Sequence, residues 1–131
     1  IESIENIINE ITQKYESNII GVHIRRTDNI AAIAENPIEK FISLMNKEIE
    51  VNPLCKFYLA SDDYQIKEIF LEKFPNRIIS PKWELSRNTV KGMKNAVTEL
   101  YCLSRTKKII GCTNSTYSNT ASRLYNIPLI L

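Results

Sequence analysis

The segment IIGVHIRRTD, residues 19–28, changes abruptly from apolar residues to a cluster of charge. Its first six residues are mainly β-branched, which is typical of a strand that is buried on both faces of a parallel sheet. At its end lie the adjacent Arg25 and Arg26 together with Asp28, and His23 is the only histidine of the chain. Because ligands of open α/β sheets bind outside the carboxyl ends of the strands, the segment predicts both a strand and a ligand site.

The two arginines indicate the charge of that ligand. A guanidinium group offers a rigid fork of donors that matches the oxygens of phosphate or carboxylate, so two of them side by side favour an anion. The alternative is a surface ion-pair cluster in which Asp28 neutralises Arg25 and Arg26.

Apolar residues at helical spacing and short apolar runs alternate along the rest of the chain. Strands are predicted at residues 19–25, 57–60, 77–80, 109–112 and 128–131. Helices are predicted at residues 4–15, 37–51 and 89–103, around residues 66–70 and around residues 121–125. This rhythm predicts an α/β, Rossmann-like fold, in which helices cover both faces of a parallel sheet.

The ends and inner faces of three of these helices can be predicted as well. Asn36 is expected to be the N-cap of the helix at 37–51, with Pro37 as the first helical residue and Glu39 as a capping-box acid. Ser61 or Asp62 is expected to cap the helix around 66–70. The residues expected to face inward from these three helices are Ile38, Phe41, Ile42, Met45 and Ile49; Ile66, Ile69 and Phe70; and Met93, Ala96, Val97, Leu100 and Leu103.

Composition and charge limit the possible class of protein. The 131 residues, with a net charge of +2, are expected to form a single domain, and the dispersed charge favours neither nucleic acid nor a membrane as partner. The cysteines form no CxxC pair, which argues against a disulfide framework or zinc site and favours a reduced, cytoplasmic setting. Since the chain starts at Ile1 rather than Met, we expect an upstream part.

A phosphate-binding glycine loop is absent from the sequence. With only Gly21, Gly92 and Gly111, the chain contains neither GxGxxG nor GxxxxGK[ST], which argues against nicotinamide dehydrogenases and P-loop kinases. A pyrophosphate can instead be held by side chains and by a helix N-terminus, and the segment TNSTYS, residues 113–118, offers one after a strand. For Ser115, a plain helix N-cap is the alternative.

The motif His-x-Arg-Arg-x-Asp at residues 23–28 resembles the first motif of the GDP-fucose-dependent fucosyltransferases, which include α1,2- and α1,6-enzymes and nodulation enzymes. The segment NPIE, residues 36–39, is similar to the α1,6 branch. This resemblance implies the C-terminal, donor-binding half of a two-domain GT-B glycosyltransferase. It also implies that an acceptor-side domain precedes residues 1–131 in the longer protein.

The resemblance also implies roles for individual residues. Arg25 matches an arginine that binds the donor's β-phosphate, and Glu99 stands where the family has an aspartate that pairs with guanine. Glu99 is one methylene longer than that aspartate. Because it is predicted on the buried side of its helix, its carboxylate needs partners. The alternative interpretation is a half-exposed glutamate on the helix surface. The candidate catalytic residues are Arg25 and Asp28, and the candidate donor-binding residues are His23, Arg25, Arg26, Asp62, Asp63, Glu99, Ser115, Thr116 and Ser118.

The reaction implied by the resemblance is metal-independent, inverting transfer of fucose from GDP-fucose to a hydroxyl of a glycan acceptor. No cofactor is expected, since Asp62 and Asp63 alone make a poor cage for a hard cation. Asn29 stands where the α1,6 enzymes carry a lysine, and Glu35 is out of register with their candidate basic glutamate, so the general base is unassigned. The alternative function is a non-catalytic module that binds a nucleotide or phospho-ligand.

Overall fold

The computed structural model describes residues 3–15, 18–25, 36–81, 89–112 and 116–131. Strands and helices alternate through them, as predicted. The elements are α1 Ile4–Thr12, β1 Ile19–Ile24, α2 Ile38–Val51, β2 Lys56–Ser61, α3 Tyr64–Lys73, β3 Ile78–Ile79, α4 Val90–Ser104, β4 Ile109–Ile110, α5 Thr116–Leu124 and β5 Leu129–Ile130.

The five strands form one parallel sheet in the order β3-β2-β1-β4-β5. The central strand β1 pairs with β2 along its whole length, from Ile19 opposite Lys56 to Ile24 opposite Ser61. The strand order runs one way from β1 to β3 and then reverses between β1 and β4. Such a reversal leaves a crevice at the carboxyl ends of the strands, where α/β proteins bind ligands.

Helices cover both faces of the sheet, and alternate side chains of β1 enter two separate cores. The first core joins β1 and β2 to α2 and α3, and its largest buried members are Ile24, Phe41, Met45, Phe57, Leu59 and Phe70. The second core joins the opposite face to α1, α4 and α5, and its buried members are Ile8, Ile19, Tyr58, Ala60, Cys102, Leu103, Ile109 and Ala121. His23 shares the second face by the period of two along the strand.

Gly21 allows α4 to approach β1 closely. A Cβ atom at this position would lie 2.8 Å from Thr106 Oγ1 and 3.1 Å from Leu103 Cδ2. The C-terminal end of α4 therefore packs directly on the backbone of the strand that leads to His23.

The predicted caps of α2 and α3 were wrong by one or two residues. Pro37, not Asn36, is the N-cap of α2 and makes no side-chain capping bond, while buried Asn36 accepts a hydrogen bond from Lys40 Nζ at 3.1 Å. Asp63, rather than Ser61 or Asp62, caps α3, since its Oδ1 accepts a hydrogen bond from the Gln65 amide at 2.8 Å.

The inward face of α4 also differs from the prediction. Met93 and Val97 are 54% and 42% exposed, whereas the residues that α4 buries are mostly polar or small: Gly92, Asn95, Thr98, Glu99, Cys102, Leu103 and Ser104. On α3, Ile69 is likewise 44% exposed. The last helix, α5, begins at Thr116, within the segment 113–118 that was expected to offer a helix N-terminus.

None of the three cysteines forms a disulfide, and all three are buried. Burial raises the pKa of the Cys102 thiol to about 12, so this group is neutral near pH 7. Within the described ranges, no helix is both long and apolar enough to cross a membrane.

Candidate functional site

A cleft opens at the carboxyl ends of β1 and β2, on the side of the sheet covered by α4 and α5. Its described lining consists of His23, Arg25, Ala60, Ser61, Asp62, Ala96, Glu99 and Tyr117. Four of the predicted site residues, His23, Arg25, Asp62 and Glu99, thus meet in one place although they come from three separate parts of the chain. The position matches the sequence-based expectation that a ligand site lies beyond the strand ends.

His23 is held by the segment that follows β4. Its Nδ1 lies 2.6 Å from Ser118 Oγ, and the same oxygen accepts a hydrogen bond from the Cys112 amide at 3.2 Å. The Tyr117 ring lies against the imidazole, with 4.6 Å between the ring centroids. Two neighbouring residues of α5 therefore fix the orientation of the histidine in the wall of the cleft.

Gly111 makes this arrangement possible. A Cβ atom at Gly111 would lie 2.7 Å from Ser118 Oγ and 2.8 Å from Leu129 Cδ1, so a larger residue would displace Ser118. Ser118 itself is fully buried and does not belong to the described lining of the cleft. A direct contact between Ser118 and a phosphate, which the family resemblance implies, would therefore require this buried hydroxyl to become accessible.

The Cys112 thiol links the ends of β1 and β4. Its Sγ accepts a hydrogen bond from the Arg25 amide at 3.2 Å and donates one to the His23 carbonyl at 3.3 Å. These contacts fix the backbone where Arg25 leaves the strand. Arg25 is half-buried, and it is the one arginine or lysine in the described lining of the cleft.

Glu99 forms a buried ion pair with Lys67. The Lys67 Nζ donates to Glu99 Oε1 at 3.0 Å, and the two side chains are 1% and 3% exposed. Lys67 Nζ also donates to the Pro81 carbonyl at 2.7 Å. The prediction that Glu99 faces inward and needs a partner is confirmed, and the alternative of a half-exposed glutamate is wrong.

The two adjacent aspartates have different surroundings. Asp63 uses its carboxylate to cap α3, and its amide donates to Ser61 Oγ at 3.2 Å, whereas Asp62 lines the cleft. In the described ranges, no group of three or more His, Cys, Asp or Glu side chains is arranged to hold a metal ion.

Sequence reasoning missed Lys67 and Tyr117. Lys67 stands among the charged residues of an amphipathic helix, and no local pattern marks it as buried. Tyr117, whose hydroxyl donates to the Ala96 carbonyl at 2.5 Å, stands between Thr116 and Ser118, which were the candidates in that segment. Arg26, Asp28 and Ser115 lie outside the described residues, as does the side chain of Thr116, whose backbone begins α5.

The fold is that of fucosyltransferases. No protein-family model matches the chain, so this conclusion rests on solved structures. Fucosyltransferase NodZ from Bradyrhizobium superposes with a TM-score of 0.67 at 21% identity, over 90% of this chain and 40% of that one. NodZ α-1,6-fucosyltransferase soaked with GDP-fucose gives a TM-score of 0.68 with the same identity and coverage.

A second fucosyltransferase, POFUT1 in complex with GDP, superposes with a TM-score of 0.69 at 11% identity. The match covers 97% of this chain and 45% of POFUT1. The chain therefore spans less than half the length of either similar protein. At these identities, the likeness concerns the fold.

Proposed function

We propose that this chain is the donor-binding domain of a GDP-fucose-dependent fucosyltransferase of the GT-B type. The observation that carries the proposal is the meeting of His23, Arg25, Asp62 and Glu99 in one cleft at the strand-order reversal. The same fold occurs in NodZ soaked with GDP-fucose and in POFUT1 bound to GDP, which favours that donor over other nucleotide sugars.

The guanine base is assigned to the part of the cleft bordered by Glu99. Guanine presents N1–H and an N2 amino group side by side, and a carboxylate is an acceptor for both. Glu99 is nearly enclosed by protein, where a hydrogen bond to a charged group is stronger than in water. UDP and ADP do not present this pair of donors.

The pyrophosphate is assigned to Arg25. As GDP leaves the anomeric carbon of fucose, negative charge develops on the β-phosphate, and a fixed guanidinium beside it lowers the barrier. The Cys112 thiol is hydrogen-bonded to the Arg25 amide and the His23 carbonyl, and these bonds fix the backbone from which the Arg25 side chain extends. A fixed backbone reduces the reorganisation that the reaction needs. Arg26 and Asp28 complete the proposed group, with Asp28 as a further catalytic candidate.

Inverting transfer to a glycan hydroxyl needs an acceptor side, which we assign to an additional N-terminal domain of the longer protein. We further propose that the reaction needs no metal, since Arg25 and Arg26 would neutralise the oxygens that a hard cation would bind. A cytoplasmic location remains a prediction from the cysteine content.

Calorimetric titration of the chain with GDP, UDP and ADP tests the proposal. We expect GDP to bind at least about tenfold more tightly than UDP or ADP, which corresponds to one lost hydrogen bond to a charged group. We also expect the same GDP affinity in EDTA as in Mg²⁺. Equal or tighter binding of UDP would contradict the base assignment, and binding that depends on Mg²⁺ would contradict the arginine mechanism.

Catalysis needs a separate test, because a non-catalytic module could bind GDP equally well. The longer protein that carries this chain should transfer fucose from GDP-fucose to a glycan. Tight GDP binding without any transfer or donor hydrolysis would favour the non-catalytic module.

A further inference from the structure

The ion pair between Lys67 and Glu99 is unusual because both groups are almost completely removed from water. Lysine and glutamate are rarely buried, since taking each charge out of water costs several kcal/mol, and an apolar pair of similar volume is often at least as stable. A pair of this kind is therefore weak support for stability alone. Its position, with Glu99 at the cleft and Lys67 behind it, suggests a role in the site.

Lys67 is itself held firmly by its surroundings. It lies on α3, whose neighbouring residues Ile66 and Phe70 are buried in the first core and whose first turn is capped by Asp63. The Lys67 ammonium group is shared between Glu99 on α4 and the Pro81 carbonyl beyond β3. Three elements of the fold thus define where this positive charge lies.

We propose that Lys67 is a positioning residue that makes Glu99 a selective reader of the nucleotide base; this rests on the proposed function. Glutamate has one more rotatable bond than aspartate, so ordering it for base recognition costs more conformational entropy. The bond from Lys67 to Oε1 restrains that freedom before the ligand arrives. It leaves the carboxylate oxygens as acceptors for guanine N1–H and N2–H, since the lysine ammonium group can only donate.

The expected signature of this role is a change in selectivity rather than in overall affinity. Guanine offers donors to the carboxylate, whereas adenine has an acceptor at its N1 position. A neutral or misplaced Glu99 would lose the advantage for guanine, while Arg25 would still attract the pyrophosphate of either nucleotide. The ratio of GDP to ADP affinity therefore reports on Glu99 independently of the phosphate contacts.

We would measure this ratio by calorimetry for the wild-type chain, Lys67→Met, Glu99→Gln and the double variant. Lys67→Met is expected to lower the ratio about tenfold or more. The double variant should have the same ratio as Glu99→Gln, because Lys67 acts through Glu99. Lys67→Gln, which retains a donor without the charge, is a milder second variant with the same expected direction. Lys73→Met, on the exposed side of the same helix, is the matched control and should leave the ratio unchanged.

The possible results test the proposed function and the positioning role of Lys67 separately. A wild-type chain without preference for GDP over ADP contradicts the proposed function itself. A wild-type chain with that preference, together with Lys67→Met and Lys67→Gln variants that melt at lower temperature but keep the wild-type ratio, overturns the positioning role and leaves Lys67 a structural residue.

Discussion

Helices α2 and α4 are of similar length and both cover the sheet, yet they bury opposite kinds of side chain. Ile38–Val51 turns Phe41 and Met45 into the first core, with three further isoleucines packed partly against it. Val90–Ser104 turns Asn95, Thr98 and Glu99 inward and leaves Met93 and Val97 exposed. The difference indicates that α2 stabilises the fold, whereas α4 uses part of its inner face for the cleft.

The polar inner face of α4 is tolerated because its groups have partners. Glu99 is paired with Lys67, and Thr98 Oγ1 donates to the Lys94 carbonyl at 2.8 Å. Ser104 Oγ donates to the Tyr101 carbonyl at 2.7 Å in the same way. A buried polar group with a partner avoids most of its desolvation cost, so an inward polar face can persist where a site needs it.

The largest expected effect is a loss of stability caused by a substitution in α2. Phe41→Ala removes a fully buried ring from the first core and should lower the free energy of unfolding by about 3 to 5 kcal/mol through the lost transfer energy and the cavity. Urea titration followed by circular dichroism measures this loss. GDP affinity of the remaining folded protein should be unchanged, and a loss of selectivity for GDP would contradict the division of roles between α2 and α4.

An intermediate effect, on binding rather than stability, is expected at the end of β1. Arg25→Ala should weaken GDP binding roughly tenfold to a hundredfold, because hydrogen bonds to charged groups contribute on the order of 1.5 to 3 kcal/mol. The matched control is Arg77→Ala. Arg77 also adjoins a strand, but it precedes β3 and is not in the described lining of the cleft, and its Nη1 donates to the Cys55 carbonyl at 2.8 Å. Should Arg25→Ala bind GDP normally and melt at a lower temperature, the arginine would be structural.

The smallest effect is expected on the outer face of α4. Met93→Lys replaces a side chain that is more than half exposed, so the free energy of unfolding should change by less than about 0.5 kcal/mol. Thermal melts of this variant and of Met45→Lys, its buried counterpart on α2, make the comparison direct. A large loss of stability from Met93→Lys would mean that Met93 faces inward, as the sequence predicted.

The element order and the parallel sheet could be predicted because strand and helix periods are strong signals in this chain. The inward face of α2 followed from the same signal. The face of α4 did not, since Met93 and Val97 are apolar but the cleft requires Glu99 to be inside. Sequence periodicity reports where apolar residues recur, and it fails where a paired carboxylate takes the buried side.

The location of the cleft could be predicted from the sequence, but the contacts that support its lining residues could not. His23, Arg25, Asp62 and Glu99 could be predicted to lie together because charged or titratable residues at strand ends and on an inner helix face stand out in a sequence. Lys67 was missed because its buried position involves an ion pair with Glu99, which lies 32 residues further along the chain. The arrangement of Ser118 behind His23 likewise depends on the close approach at Gly111.

The proposed function requires GDP to bind in the cleft at the carboxyl ends of β1 and β2. Backbone amide chemical shifts, followed by NMR as GDP is added to the chain, test it most directly. We expect the largest changes at residues of the cleft, such as Arg25, Asp62, Glu99 and Tyr117, and little change along α2 or at the amino ends of the strands. Saturable changes that cluster around α2, with the cleft residues unmoved, would contradict the account.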